Sequence, residues 1–422
     1  MKKLFTLAML LVATFASKGQ FFDPTSYKGA FAPAPIAMWT DGWCNWTPDS
    51  TNYPATTITI SGTISSNTTW TSNQVYKLSG VVYVDSLVTL TIQPGTIIRG
   101  DNSVSNSSLL IKRGGKLIAQ GTATNPIVFT SNQPIGSRTL GDWGGVILLG
   151  KARMNQGLGL IEGLSAISDH QYGGNDDLDN SGILSYVRIE YGGYVFAQNK
   201  EINGLTMGAV GSGTQIDHIQ VSYVNDDAFE WYGGTVNAKY LVSYRNLDDD
   251  FDTDFGYSGK VQFGLSVRDP QIADNSYSLP SGGSTSEGFE SDNDANGSYL
   301  LPRTSATFSN FTMIGPFRGN NASTVHPAFR RGARIRRNSA LKIINSVISD
   351  WATGFMLDGV ACENNAIANS PDTSLLFQNN IIANYRTRAG EVASGRTFDI
   401  LGYIGQRNDT LKTNINLMVR PY

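Results

Sequence analysis

Two loops share a spacing suited to a hard divalent cation. Asp177-Leu-Asp179-Asn-Ser181-Gly182 and Asp292-Asn-Asp294-Ala-Asn296-Gly297 both read D-x-D-x-[NS]-G. Alternate oxygen-bearing side chains converge on one point, and the glycine permits the sharp turn that gathers them. The expected ligands are Asp177, Asp179, Ser181, Asp292, Asp294 and Asn296, with Ca²⁺ in a structural role. The twelfth loop position, where a bidentate Glu would complete such a site, is Arg188 or Arg303. Further ligands would then come from a neighbouring segment or from water. A metal-free turn is the alternative, since Asp, Asn and Gly favour turns by themselves.

A denser set of acids follows. Asp226, Asp227, Glu230, Asp248, Asp249, Asp250, Asp252 and Asp254 place eight of the 35 acidic residues within 29 positions. Like charges so close call for cations, arginine or protonation. Paired carboxylates roughly 5–10 Å apart can also cleave glycosides, which makes Glu230, Asp252, Asp254 and Glu290 the candidate catalytic acids. Five arginines lie between Arg330 and Arg337. Arg330, Arg331 and Arg334 suit bidentate contacts to carboxylate or phosphate. They either pack against the acids or meet an anionic glycan or lipid head group. Trp39, Trp43 and Trp46 offer broad apolar faces for stacking on a sugar, or else help to cap the fold.

Positioning these groups falls to strands. Helical periodicity is scarce, whereas runs such as Val88–Ile92, Leu117–Ala119 and Ile127–Thr130 alternate apolar with polar between Gly, Asn, Asp and Ser clusters. Hydrophobic content of 40% is too rich for disorder, and 60 Gly plus Pro among 422 residues, without a period, exclude collagen. A formal net charge of −3 gives no reason to expect a nucleic-acid partner. His170, His218 and His326 are far apart, and no nucleophile elbow or phosphate-binding loop is present.

Internal repeats select the architecture. The run His218–Asn225 aligns with Lys239–Asn246, 21 residues on, and with Lys260–Val267 after 21 more. Met313-Ile314, Val347-Ile348 and Ile381-Ile382 recur every 34. Ala228-Phe-Glu-Trp, Asp250-Phe-Asp-Thr, Gly288-Phe-Glu-Ser and Gly354-Phe-Met-Leu share one Phe position. Stacked in parallel, Phe229, Phe251, Phe289 and Phe355 form an inward ladder. Glu230, Asp252 and Glu290 then form one solvent-facing column, with Asp254, Asp292 and Asp358 two residues over. The fold expected is all-β, a right-handed parallel β-helix solenoid with an N-terminal aromatic cap and long loops. Residues 20–56 would cover the first rung, 57–399 form the helix, and 400–422 close the other end. Loops 269–306 and 318–340 would shape a binding face.

The segments Leu90-Thr-Ile-Gln-Pro-Gly-Thr-Ile-Ile98, Leu117-Ile-Ala-Gln-Gly-Thr-Ala-Thr-Asn-Pro-Ile-Val-Phe-Thr-Ser131 and Gly141-Asp-Trp-Gly-Gly-Val-Ile-Leu-Leu-Gly150 resemble the exported, pectate-lyase-like parallel β-helix surface proteins of Bacteroidota. Lys28-Gly-Ala-Phe31 and Trp39-Thr-Asp-Gly-Trp-Cys-Asn-Trp46 are similar to the segment preceding the helix in that group. The resemblance covers most of 28–390. It implies architecture more than activity, because the scaffold carries lyases, hydrolases, adhesins and proteins without an assigned role. Calcium-dependent pectate lyases bridge stacked carboxylates with metal and use a basic residue as base. By that resemblance Arg268, or Arg245, would be the base.

Lys2 and Lys3 precede an apolar run from Leu4 to Ala16 and small residues at Ser17 and Gly19, as in a signal peptide spanning 1–19. Thirteen apolar residues are short of the roughly 20 that span a bilayer. Export is therefore expected, to the cell exterior or the outer membrane, with the periplasm as an alternative. Cys44 and Cys362 either pair or remain two buried thiols. The leading expectation is a non-enzymatic protein presenting an elongated surface to polysaccharide or another cell-surface component, with Ca²⁺ in its loops. The alternatives are a lyase or glycoside hydrolase using the acidic column, and a subunit of an outer-membrane assembly with a membrane-protein partner.

Overall fold

The computed structural model describes residues 20–411 apart from 163, 198–199, 279–282, 320 and 369–373. Short strands with one apolar face bury it by stacking in parallel on the strands of the next turn of chain. Each full rung contributes to three parallel sheets, and the all-β parallel β-helix expected from the repeats is the fold found. Sheet two positions the site. It passes in order through Val146–Leu149, Leu205–Gly208, Phe229–Tyr232, Phe251–Asp254, Phe289–Ser291, Arg334–Arg336 and Thr353–Asp358.

The Phe ladder has the expected register. Phe229 pairs with Phe251 and Phe251 with Phe289, all fully buried, with ring centroids 5.5 and 5.4 Å apart. Ala333 takes the next place before Phe355 continues the column. The 21-residue repeat is off by a residue or more. Asp217 pairs with Lys239, and Lys239 with Gln262, so these rungs hold 22 and 23 residues. Met313 likewise pairs with Ile348, 35 residues on, whereas Val347 and Ile381 keep the expected 34. Corners absorb different numbers of residues, while the register is fixed by inward apolar positions such as Ile219 and Leu241.

The corner inside the long strands Gly182–Glu190, Gln215–Ser222, Asn237–Tyr244 and Lys260–Val267 turns on single residues in the left-handed region. Tyr186, His218, Tyr240 and Phe263 have φ of 50°, 51°, 59° and 64°. Such a backbone costs about 1–3 kcal/mol at a non-glycine residue. Here it aligns four rings into a stack with centroids 4.2, 4.4 and 5.0 Å apart, which offsets that cost.

The N-terminal segment does not cover the first rung. It lies as a strap along the side of the coil. The side chain of Gln262 accepts from the Asp23 N–H and donates to its carbonyl, and Gln220 holds Asn45 in the same two-bonded way. The Gly29 N–H reaches the Asn345 carbonyl, and Tyr53 donates to Glu190. Aromatic residues favour this seat because the outer face of the coil is itself apolar there: Trp43 packs with Val242, Leu265 and Ile314. Of the segment 400–422, expected to close the far end, residues 412–422 lie outside the described residues. Helix α1 (Val360–Ile367) covers a corner, and α2 (Ile400–Gly405) buries Ile400, Tyr403 and Ile404 across the last rungs.

Candidate functional site: an acidic cleft on sheet two

Three acidic columns run down sheet two and the turn before it, and each is closed by an arginine from one rung. Glu230, Asp252 and Glu290 stack in register and end on Arg334. Asp254 and Asp292 follow Tyr232 in the next column, and Arg336 separates them from Asp358. The third column lies in the turns. Asp227 accepts the Asp249 N–H at 2.8 Å, Asp249 accepts the Glu287 N–H, and Glu287 accepts both the N–H and the guanidinium of Arg331. Each carboxylate there satisfies the backbone of the residue one rung below, which holds the turns in line.

Between these columns opens a cleft of about 610 Å³, walled by Glu162 and by part of the long loop after Arg268, at Asp274–Ser276 and Gly283-Ser284. Carboxylate oxygens of Asp226, Asp227 and Asp248 lie within 4.8 Å of one another, as do those of Asp227, Glu230 and Asp252, and those of Asp249, Asp252 and Glu290. Burial raises the pKa of Asp227, Glu230, Asp248, Asp249 and Asp252 well above the usual carboxylate range, with neighbouring acids adding to the effect. Burial also pushes Asp254 to about 8 and Glu290 to about 7, the latter against the pull of Arg336 and Arg334. One oxygen each of Asp248 and Asp252 is buried with no hydrogen-bond partner. Hard oxygen donors in overlapping sets of three, two of them carrying orphaned atoms, fit a divalent cation.

The other expected site residues lie elsewhere. Arg268 is sealed inside the coil: its guanidinium pairs with Asp250 at 3.1 Å, both side chains are inaccessible, and it donates to the Asn246, Asp248 and Glu287 carbonyls. It cannot reach a molecule in the cleft. Arg245 sits on an outer corner beside Tyr223 and Asp269. In the first D-x-D loop, Arg153 takes the Asp177 carboxylate, while Asp179 accepts from the Lys151 N–H and Ser181. In the second, Asp292 pairs with Arg336 and Arg337, and Asp294 accepts from the Asn296 and Ser298 N–H groups within its own turn. None of the three carboxylate sets above includes a residue of either loop.

Trp39 stacks on Phe31 and meets Tyr240, Trp43 is buried against Tyr186 and His218, and Trp46 abuts Tyr244. These rings fasten the strap instead of facing solvent together. Arg331 bridges Glu287 and Glu391, and Arg334 bridges Glu290 and Asp358, while Arg330 is exposed. Cys44 and Cys362 are not joined. The turn column Asp227, Asp249 and Glu287 went unmarked as a site by sequence reasoning. Its signal is an acid two residues before Phe229, Phe251 and Phe289.

A family model described as a pectate-lyase-like β-helix domain matches residues 62–410. No curated protein and no solved structure matches the chain.

Proposed function

The chain belongs to the pectate-lyase-like β-helix family, and on that scaffold we propose that it is a binding protein whose acidic cleft gathers Ca²⁺ and, through it, an anionic polysaccharide or similar cell-surface polymer. The observation that carries this reading is the overlap of three carboxylate sets in one cleft, with Asp252 shared by two of them. Asp227, Glu230, Asp249, Asp252 and Glu290 would hold the ion. When bound, it neutralises the buried acids and offers open positions to a carboxylate of the ligand. Arg336 and Arg337 line the same cleft and lend it a basic end.

Binding is preferred to catalysis because the basic groups near the acids are engaged. Arg268 is buried, and Arg334 and Arg336 are held by Glu290, Asp292 and Asp358. Placement of the protein outside the cytoplasm, from the signal-like N-terminus, belongs to the same proposal. Calorimetric titration of the full chain with Ca²⁺, then with a uronic-acid polymer, tests it. The expected result is calcium binding weakened at least tenfold by Asp252→Asn, and polymer retention only with calcium. Absence of calcium binding by the unmodified protein overturns the reading. Release of an unsaturated uronide, seen by its ultraviolet absorbance, would replace it with a lyase.

A further inference from the structure

The two ends of the coil are unlike. At the lower end α2 packs Ile400, Tyr403 and Ile404 against the last rungs, and the strand Asp409–Leu411 continues one face below Ile381–Ala383. At the upper end, Ile58–Ile64 pairs only with the strand Val75–Val84, and Thr68–Trp70 only with Thr89–Ile92, so the upper edge of each has no strand partner among the described residues. The segment whose composition suits a cap lies along the side instead. Edge strands of this kind are ordinarily protected by lysine, proline or a covering element. Among the described residues no lysine and no covering strand protects these edges: residues 50–76 contain no charged side chain, in a chain that is 16% charged. Lys77, the first charge beyond them, is paired with Asp101 at 2.7 Å. Ile58 is exposed, and Ile60 and Ile64 are half-buried at the mouth of the core.

We propose that the first rung is a docking surface for a second copy of this chain, the two coils meeting end to end about a two-fold axis. A net-negative molecule repels its own copies over most of its surface, and this end is the part another copy can approach without that penalty. The two-fold operation reverses strand direction, so Ile58–Ile64 would pair antiparallel with its counterpart while Ile60 and Ile64 close over the joined cores. Because the two-fold contact uses the same end of both coils, it closes as a dimer and does not propagate as a filament.

Sedimentation velocity of the full chain over a hundredfold range of concentration tests this, beside a Thr59→Lys/Thr63→Lys variant. Both threonines are exposed, so the variant is expected to fold and to unfold cooperatively, short only of the stability that association adds to the wild type. The expected result is a dimer for the wild type and a monomer for the variant, with calcium binding unchanged in both. A wild type that stays monomeric overturns the proposal. So does a dimer indifferent to the two lysines, or assembly into open-ended polymers.

Discussion

Glu290 and Arg334 face outward from consecutive rungs in exact register, joined by a 3.4 Å ion pair, so the carboxylate column that begins at Glu230 ends on a guanidinium. Glu287 meets Arg331 and Asp292 meets Arg336 in the same way. The Arg-rich run at 330–337 is thus one rung that terminates three acidic columns. Above it the acids have one another for neighbours, and there the cleft opens.

Removing one of these arginines strands buried charge. Arg336 contacts both Glu290 and Asp292, which are about 5% exposed. Arg336→Ala is expected to cost about 2–4 kcal/mol, as for a buried ion pair that loses one partner. Urea unfolding measures it, and Glu290→Gln in the same background should recover part of the loss. An unchanged midpoint contradicts this account of the columns.

Stability should depend on pH in a direction set by the cleft. Asp254 and Glu290 are raised to about 8 and about 7 in the folded protein, whereas unfolded carboxylates titrate near about 4. Between those values the folded state holds protons that the unfolded chain has released. The stability from these two groups is therefore complete below about pH 4 and lost as pH rises through 7 to 8. With a chelator present, the melting temperature should fall from pH 5 to pH 9. Calcium should flatten the fall by replacing protons as the source of positive charge. A chelated profile that rises over this range would contradict the shifts.

The strap can be followed through its own thiol. Cys44 is half-buried beside Asn45, whose backbone is held at both atoms by Gln220, while Cys362 is wholly buried. Gln220→Ala removes two hydrogen bonds, about 1–2 kcal/mol, and roughly a tenfold rise in local opening follows. A thiol reagent should modify Cys44 faster by that factor and leave Cys362 unchanged. Equal rates in the two proteins would show that the clamp does not hold the strap.

The fold was legible because Phe229, Phe251 and Phe289 are large, inward and unambiguous, and the column Glu230, Asp252 and Glu290 followed from them by strand alternation. The shared Val-Ser-Tyr and Leu-Val-Ser-Tyr wording near 221 and 241 pointed to a period of 21. Yet the structure pairs Val221 with Ser243, because the inner row tolerates a serine that donates to the buried Asp250. Arg268 looked like a base for the same reason it is not one. It is near the acids in sequence, but its column points inward to Asp250. The seat of the strap was not legible. The amides that grip Asp23 and Asn45 lie 239 and 175 residues away, and an aromatic, Pro-rich segment carries no mark of where it will dock.

The bond from Gly29 to Asn345 orders events in time. The strap is made first, but its furthest anchor is laid down more than three hundred residues later. Until that turn has been wound, the leading segment has nowhere complete to rest. A nascent chain therefore fastens its aromatic head in stages, from Glu190 and Gln220 onward, and only the later rungs complete the seat.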